Sequence, residues 1–448
     1  MKRRTFLKSA ALATCAFQIA PRSILGGEGN TPPSRKLNLA VIGCGGQGGG
    51  DLGNMADENI VALCDVDDRS AAGSFKRFPQ AKRFKDFRKM FDAMSKQIDC
   101  VLVGTPDHTH AIAALAAMRH GKHVFCEKPL AHSVAELRAM RKEARDRKLI
   151  TQVGNQGHSF DTIRVFCEWI WDGAIGNVTE IHAGCGAMRD TYCRIDKLAN
   201  VRKEQPPVPA ELDWELWQGP VAHRPYHPDY LPWNWRGWLP YGGGAFGDWV
   251  CHVVDPVFWA LDLDMPTSVQ AEIEGYDRKE NADCYPAGCK VTFEFPAKGQ
   301  RGPVKLIWFD GVKPIPRPEE LEAGQNVEET GAVVIGDRGK IMYGSHGAGG
   351  VRIIPEEKMK AYKRPEQKIE RCRAGHYKEW LNAVRDGKQS NSPFEYGGRL
   401  SEIGLLGVAA IRTGSEKLLY DAQAVRFTNS AEATKLLHPQ FHNGWSLA

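Results

Sequence analysis

Between residues 37 and 153 short apolar runs alternate with stretches of helical period, the pattern of a parallel sheet buried on both faces and joined by crossover helices. Residues 37–42 and 60–64 read as the first two strands, and 99–104, 123–126 and 150–153 as further ones. Residues 111–120 read as a helix. Ser133, with Glu136 three residues on, forms a capping box that opens a helix to about residue 147. Beyond residue 155 the rhythm changes. Residues 271–274, 290–295 and 305–309 read as strands separated by long loops, residues 314–329 as a proline- and glutamate-rich surface loop, and 376–417 as two late helices. The expectation is an α/β domain with a doubly wound parallel sheet over residues 36–155. An α+β domain with a large, mainly antiparallel sheet follows over 156–448.

A chain of 448 residues, 42% hydrophobic and 25% charged, is long enough for two globular cores and too polar for a membrane-embedded one. The net charge of +5 is small for that length, and the basic run at 358–373 reads as solvated surface, so no nucleic-acid partner is expected. The N-terminus changes the picture more. Lys2-Arg3-Arg4-Thr5-Phe6-Leu7-Lys8 precedes a mildly apolar run at 9–20, the outline of a twin-arginine export signal, against the plainer reading of a basic cytosolic terminus. Residues 1–35 are therefore expected to be signal and linker, and the protein periplasmic or otherwise exported. The apolar run is shorter than the roughly 20 residues a bilayer requires, so no permanent membrane anchor is expected. The 12 cysteines show no CxxC spacing, and no metal site is expected. Cys44, Cys64, Cys100 and Cys126 fall in or beside strands as small hydrophobes, leaving Cys284 and Cys289 as the pair considered for a bridge.

Gly43-Cys44-Gly45-Gly46-Gln47-Gly48 fits G-x-G-x-x-G and stands where physics requires it, after a buried strand and before a helical stretch. The glycines permit a tight turn and close approach of the backbone to a pyrophosphate, which then faces the free N–H groups of a helix N-terminus. Asp65 ends the second strand 22 residues after Gly43, where its carboxylate can accept hydrogen bonds from ribose hydroxyls. The same charge repels a 2′-phosphate. NAD is thus favoured over NADP, with nearby Arg69 as the argument for NADP.

The chain further resembles the glucose-fructose oxidoreductase, inositol dehydrogenase and MocA (Gfo/Idh/MocA) family, through Thr105-Pro106-Asp107-His108-Thr109-His110, Glu127-Lys128-Pro129, Gly154-Asn155-Gln156-Gly157, Gly173-Ala174-Ile175-Gly176-Asn177-Val178, and Gly242-Gly243-Gly244 with Asp248 and His252. The resemblance implies a Rossmann domain followed by an open-faced sheet. It adds Thr105, Pro106, His110, Glu127 and Lys128 to the NAD-binding set, and it implies a homo-oligomer, dimer or tetramer. It also implies a Lys128–Pro129 peptide that is often cis. His252 becomes the general base, Lys128 the group that polarises the reacting hydroxyl, and Asp248 a substrate-binding or orienting partner. Residue chemistry agrees, since hydride removal from an alcohol leaves a proton for a base and needs a cation beside the developing alkoxide. Asp248 and His252 are four apart, on one face of any helix.

Seven of the 12 tryptophans lie between Trp214 and Trp259. Flat rings stack on sugars, which makes Trp233, Trp235 and Arg236 candidates for a substrate wall, although aromatic residues serve cores equally well. Asn155, Gln156, His158, Arg189 and Tyr192 are further substrate candidates placed after the family's domain junction. The expected function is NAD-dependent oxidation of a ring hydroxyl in a sugar, glycoside or cyclitol. An NAD-dependent glycoside hydrolase working by transient oxidation, or a carbohydrate-binding scaffold without turnover, are the competing readings.

Overall fold

The computed structural model describes residues 35–186, 189–414 and 416–447. Of the expected signal and linker, residues 1–35, all but the last residue lie outside the described residues, as does the side chain of Arg189.

Strands β1 (Asn38–Ile42), β2 (Asn59–Cys64), β3 (Lys82–Phe84), β4 (Cys100–Val103), β5 (His123–Cys126) and β6 (Thr151–Val153) form an all-parallel six-stranded sheet in the order β3-β2-β1-β4-β5-β6. Side chains alternate across it as the period of two demands. Leu39 and Val41 pack on one face with Leu52, Phe75 and Trp380, while Ala40 and Ile42 face Met90, Leu115 and Leu137 on the other. Trp380 belongs to the late helix His376–Asp386, which returns to cover the first sheet although it lies far along the chain. The strand order reverses between β1 and β4, and the crevice at such a switch point is where a doubly wound sheet binds its ligand.

The capping box forms as expected: Ser133 Oγ accepts from the Glu136 N–H at 3.3 Å and donates to Glu136 Oε2 at 2.9 Å, opening the helix Val134–Asp146. The helix expected at 111–120 starts earlier, at Asp107, because Asp107, His108, Thr109 and His110 are all buried by tertiary packing that local polarity could not foretell. The short polar edge strand β3 was likewise invisible to periodicity.

A second sheet contains β7 (Val178–Cys185), β8 (Ser268–Glu272), β9 (Lys290–Phe295), β10 (Val304–Asp310), β11 (Thr330–Gly336), β12 (Lys340–Gly344), β13 (Gly349–Ile354), β14 (Leu418–Asp421) and β15 (Arg426–Phe427). Its nine strands run in the order β13-β12-β11-β7-β10-β9-β8-β14-β15, antiparallel except for the β7–β10 pair. One face packs on the helices Gly244–Val253 and Phe394–Thr413, with Phe246 against Trp308 at 4.8 Å. On the opposite face Ile315 and Leu321 pack with Phe309, Val333 and Met342, so the loop at 314–329 is anchored by apolar contacts.

Helix Gly244–Val253 carries Asp248 and His252, and its first turn is pinned. Tyr285 OH accepts from Phe246 N–H at 3.2 Å and donates to buried Asp310 Oδ2 at 2.5 Å. Cys284 and Cys289 do not bridge: Cys284 packs among aromatic rings, and Cys289 contacts Asp310 and Tyr285 through its thiol. All eleven cysteines of the described residues are free thiols.

Candidate active site

A cleft opens at the switch point of the parallel sheet, and the glycine turn forms its floor. Gly43 has φ +78°, and a Cβ there would stand 2.6 Å from Thr105 N, so no other residue fits between β1 and the loop after β4. Gly46 has φ +48° with nothing within 4 Å of its Cβ direction, so open space remains in front of the N-terminus of helix Gly46–Asn54. That cradle, with uncapped helix N–H groups behind it, suits a diphosphate. Gly45 and Gln47 also line the cleft, whereas Gly48 lies behind it, packed against the Gly43 carbonyl.

Asp65 closes the adenosine end. Its Oδ2 accepts from Cys44 N–H at 2.9 Å and Gly45 N–H at 3.1 Å, and its Oδ1 accepts from Asp67 N–H at 3.0 Å. Burial nevertheless raises its carboxyl above the ordinary value, so hydroxyl donors from a ligand would be welcome there. Arg69 forks onto Asp67 at 3.0 and 2.9 Å and is therefore not poised as a free partner for a 2′-phosphate.

The opposite side of the cleft is lined by Thr105, Pro106, Asp107, Glu127 and Lys128. Thr105 Oγ1 is buried without a hydrogen-bond partner, a polar atom that a bound ligand would satisfy. His110 departs from the expectation of cofactor contact. Its Nδ1 and Nε2 lie 2.8 Å from Pro129 O and 2.7 Å from Thr105 O, which leaves neither nitrogen free and makes it a brace between two cleft-lining loops. The Lys128–Pro129 peptide is cis. Glu127 sits against Asp51, and burial raises both carboxyls; Gln156 Nε2 donates to Glu127 Oε1 at 3.2 Å, and Tyr377 OH donates to Asp51 Oδ1 at 2.7 Å.

A roof over the cleft was not legible in the sequence. Asp213 N–H donates to Val66 O at 2.9 Å and Asp68 N–H to Glu211 O at 3.2 Å, so the segment carrying Leu216 and Trp217 is laid across the end of β2. Asn443 near the C-terminus fastens it through Gly219 O at 2.9 Å and Val221 O at 2.8 Å. Trp233, Trp235 and Arg236 complete that wall, with the guanidinium 4.3 and 4.2 Å from the two ring centres. Trp214, Tyr230, Trp238 and Tyr241 pack on one another as core, and Trp217 joins that cluster to the cleft.

Lys128 links the cleft to the second domain. Its Nζ donates to Asp248 Oδ1 at 2.5 Å and to the Asp248 carbonyl at 3.1 Å, while Asp248 Oδ2 accepts from Tyr192 OH at 2.5 Å and lies 3.2 Å from Arg236 Nε. Burial pushes the Asp248 carboxyl up, but Lys128 and Arg236 outweigh it and hold the group well below the carboxylate range. Asp248 therefore does not orient His252 by a hydrogen bond, as its helical spacing suggested. Its oxygens are taken by the two cations and Tyr192. His252 lies on the same helix, 4% exposed, with no hydrogen bond to either ring nitrogen among the described residues and Nδ1 fully sealed. Burial, followed by Lys128 and His346, drives its pKa well below 6.5, which favours the neutral ring, the form a general base requires.

Two substrate candidates fall elsewhere. His158 Nδ1 meets Asp255 at 3.0 Å, and Asn155 bonds Asp255 and Ser392 at 3.0 and 2.7 Å, so both are spent inside a buried polar cluster. Gln156 faces Glu127, and Tyr192 holds Asp248. Arg189 begins a short helix, Arg189–Tyr192, and its side chain lies outside the described residues. Among the described residues no group of three His, Cys, Asp or Glu side chains could hold a metal ion, and no helix is long and apolar enough to cross a membrane.

Removing the Asp248 carboxylate leaves Lys128 and Arg236 facing each other. Asp248→Ala should cost about 3 kcal/mol of stability, measured by denaturant unfolding. Because the folded pKa lies below the ordinary 3.8, the wild-type stabilisation is complete above that value and fades only as pH falls through the depressed one. An unchanged unfolding midpoint would show that the ion triad contributes nothing.

Residues 37–155 match the oxidoreductase family's NAD-binding Rossmann-fold model, and residues 197–447 match its C-terminal alpha/beta domain. The chain is 28% identical over 193 residues to a levoglucosan dehydrogenase of Pseudarthrobacter phenanthrenivorans, covering 43% of this chain and 40% of the relative. It is 33% identical over 153 residues to inositol 2-dehydrogenase 2 of Saccharopolyspora erythraea, covering 33% and 44%. The aligned regions thus span less than half the length of these curated relatives. The fold is similar to the inositol dehydrogenase homologue of Azotobacter vinelandii, solved with NADH and myo-inositol, with a TM-score of 0.55 and 15% identity over 86% of this chain and 98% of that one. With a glycine-turn cleft, the Lys128–Asp248 pair and both family domains matched along its length, this chain belongs to the Gfo/Idh/MocA family of NAD-binding oxidoreductases.

Proposed function

We propose that the protein is an exported, NAD-dependent dehydrogenase of a ring hydroxyl in a sugar, glycoside or cyclitol, with its cofactor tightly held. The observation that carries this reading is the contact of cleft-lining Lys128 with Asp248, on the helix that also carries His252, a neutral ring with no hydrogen bond to either nitrogen among the described residues. Gly43 to Gln47 would hold the diphosphate, Asp65 the adenosine ribose, and Thr105, Glu127 and Lys128 the nicotinamide half. When bound, NAD supplies the hydride acceptor. Lys128 places positive charge beside the substrate oxygen and favours its alkoxide character, Asp248 holds that ammonium in position, and His252 takes the hydroxyl proton. Asp65 with Arg69 already paired favours NAD over NADP.

Retention of the cofactor is supported by the roof over its adenosine end. Export through the twin-arginine route rests on Arg3-Arg4 and the apolar run after them, and carriage of a folded, loaded protein suits a compartment poor in free NAD. A homo-oligomer is part of the same proposal. Transient oxidation followed by glycoside elimination gains support from Asp107, a cleft-lining carboxyl whose pKa is raised by burial and by the neighbouring Asp248, the direction a proton donor to a leaving group requires.

The test uses the purified full chain. Native mass spectrometry should find NAD on the protein and report the number of chains, and the reduced-nicotinamide absorbance should rise with at least one of myo-inositol, levoglucosan or a panel of methyl glycosides. A protein that binds neither NAD nor NADH would end the proposal, and product analysis with a chromogenic glycoside separates net oxidation from hydrolysis.

A further inference from the structure

The turn between β12 and β13 brings His346 onto the ring of His252, with centroids 4.1 Å apart and planes inclined at 31°. Trp249 meets both rings edge-on, at 5.7 and 5.6 Å, and its Nε1 donates to Tyr192 OH at 2.8 Å. The pair is thereby joined to Asp248 and Lys128.

His346 is delivered there against local preference. Its φ is +55°, in the left-handed region that a residue with a Cβ seldom adopts. The surroundings impose it: a Cβ on Gly157 would lie 2.4 Å from Gly347 N, and Thr162 Oγ1 donates to Gly347 O at 2.6 Å, so the turn is clamped onto the segment at 157–162. Such over-determined backbone gathers where a side chain must be placed for function. Nδ1 of His346 is engaged by Ser345 Oγ at 2.9 Å. Among the described residues no hydrogen bond uses its Nε2, and the residue is half-buried where His252 is sealed.

We infer that His346 is a further substrate-binding residue of this centre, with Nε2 bonding a hydroxyl vicinal to the one that His252 deprotonates. Rings so close can serve oxygens on neighbouring carbons and not oxygens across a sugar ring, so the site selects vicinal diols. This rests on the dehydrogenase reading above. Burial, with a further contribution from Lys128, lowers the pKa of His346, so the ring is uncharged at neutral pH and able to act as acceptor or donor.

The turn itself supplies clean variants. His346→Gly removes the ring and suits a positive φ, and His346→Asn keeps a hydrogen-bonding side chain that tolerates that conformation, so neither should harm the fold. With whichever of myo-inositol, levoglucosan or the methyl glycosides the wild type oxidises, His346→Gly should raise KM about tenfold with kcat and NAD affinity nearly unchanged. The wild type's preference for that substrate over its vicinal deoxy analogue should collapse in His346→Gly and partly return in His346→Asn. Wild-type KM and discrimination in His346→Gly would overturn the inference while leaving the dehydrogenase reading intact. If the wild type oxidises none of the probes, the dehydrogenase reading is what fails. His346 is then judged by carbethoxylation with diethyl pyrocarbonate: the ring should react before His252, more slowly with saturating NADH. A ring that does not react, or ignores NADH, overturns its place at the centre.

Discussion

Lys128→Ala should lower kcat/KM for alcohol oxidation by about two to three orders of magnitude, while NAD affinity, followed by nucleotide fluorescence, changes little. The ammonium lines the cleft and donates to Asp248 at 2.5 Å, and it joins the cofactor side to the second domain. Its loss removes charge from the place where alkoxide character develops and leaves the glycine turn and Asp65 untouched. The fold should survive, because Asp248 keeps Tyr192 at 2.5 Å and Arg236 at 3.2 Å. Arginine is no substitute, since a forked guanidinium cannot reproduce a compact point charge. Near-full turnover by Lys128→Ala would remove this residue from the chemistry.

The second large effect is expected at His252. His252→Ala should cost roughly two to four orders of magnitude in oxidation, and it should also change the form of the pH profile. The groups facing the ring are Lys128, His346 and His376, which lower its pKa beyond the effect of burial, and Asp248, which partly offsets them. The neutral form is the base. A pKa held well below 6.5 keeps that form populated under mildly acidic conditions, so the acid limb of kcat/KM in the wild type should lie below pH 6.5 and activity should fall only beneath it. In His252→Ala that limb should vanish. A variant that retains both limb and rate would place the base elsewhere.

The glycine turn, Asp65, Lys128 and the Asp248–His252 pair were legible because each depends on chemistry written within a few residues: a strand followed by glycines, an acid at a strand end, two polar groups four apart on a helix. Roles were less legible than positions. Asp248 and His252 share a helix face as their spacing requires, yet the carboxylate turns to Lys128, whose partner is 120 residues distant. His110 looked like a cofactor ligand, and His158 and Asn155 like substrate ligands, but burial gave each a protein partner first.

What the sequence determined by itself was the set of elements with strong period and the turn that admits a dinucleotide, since both follow from local backbone and side-chain geometry. Only the tertiary structure decided which distant groups meet. It laid the segment around Trp217 over the cofactor cleft, returned helix His376–Asp386 to the first sheet, and set His346 against His252 from a hairpin 94 residues away. Those contacts are set by how two sheets and their shared helices pack, and packing between remote segments leaves no spacing along a single chain to be read.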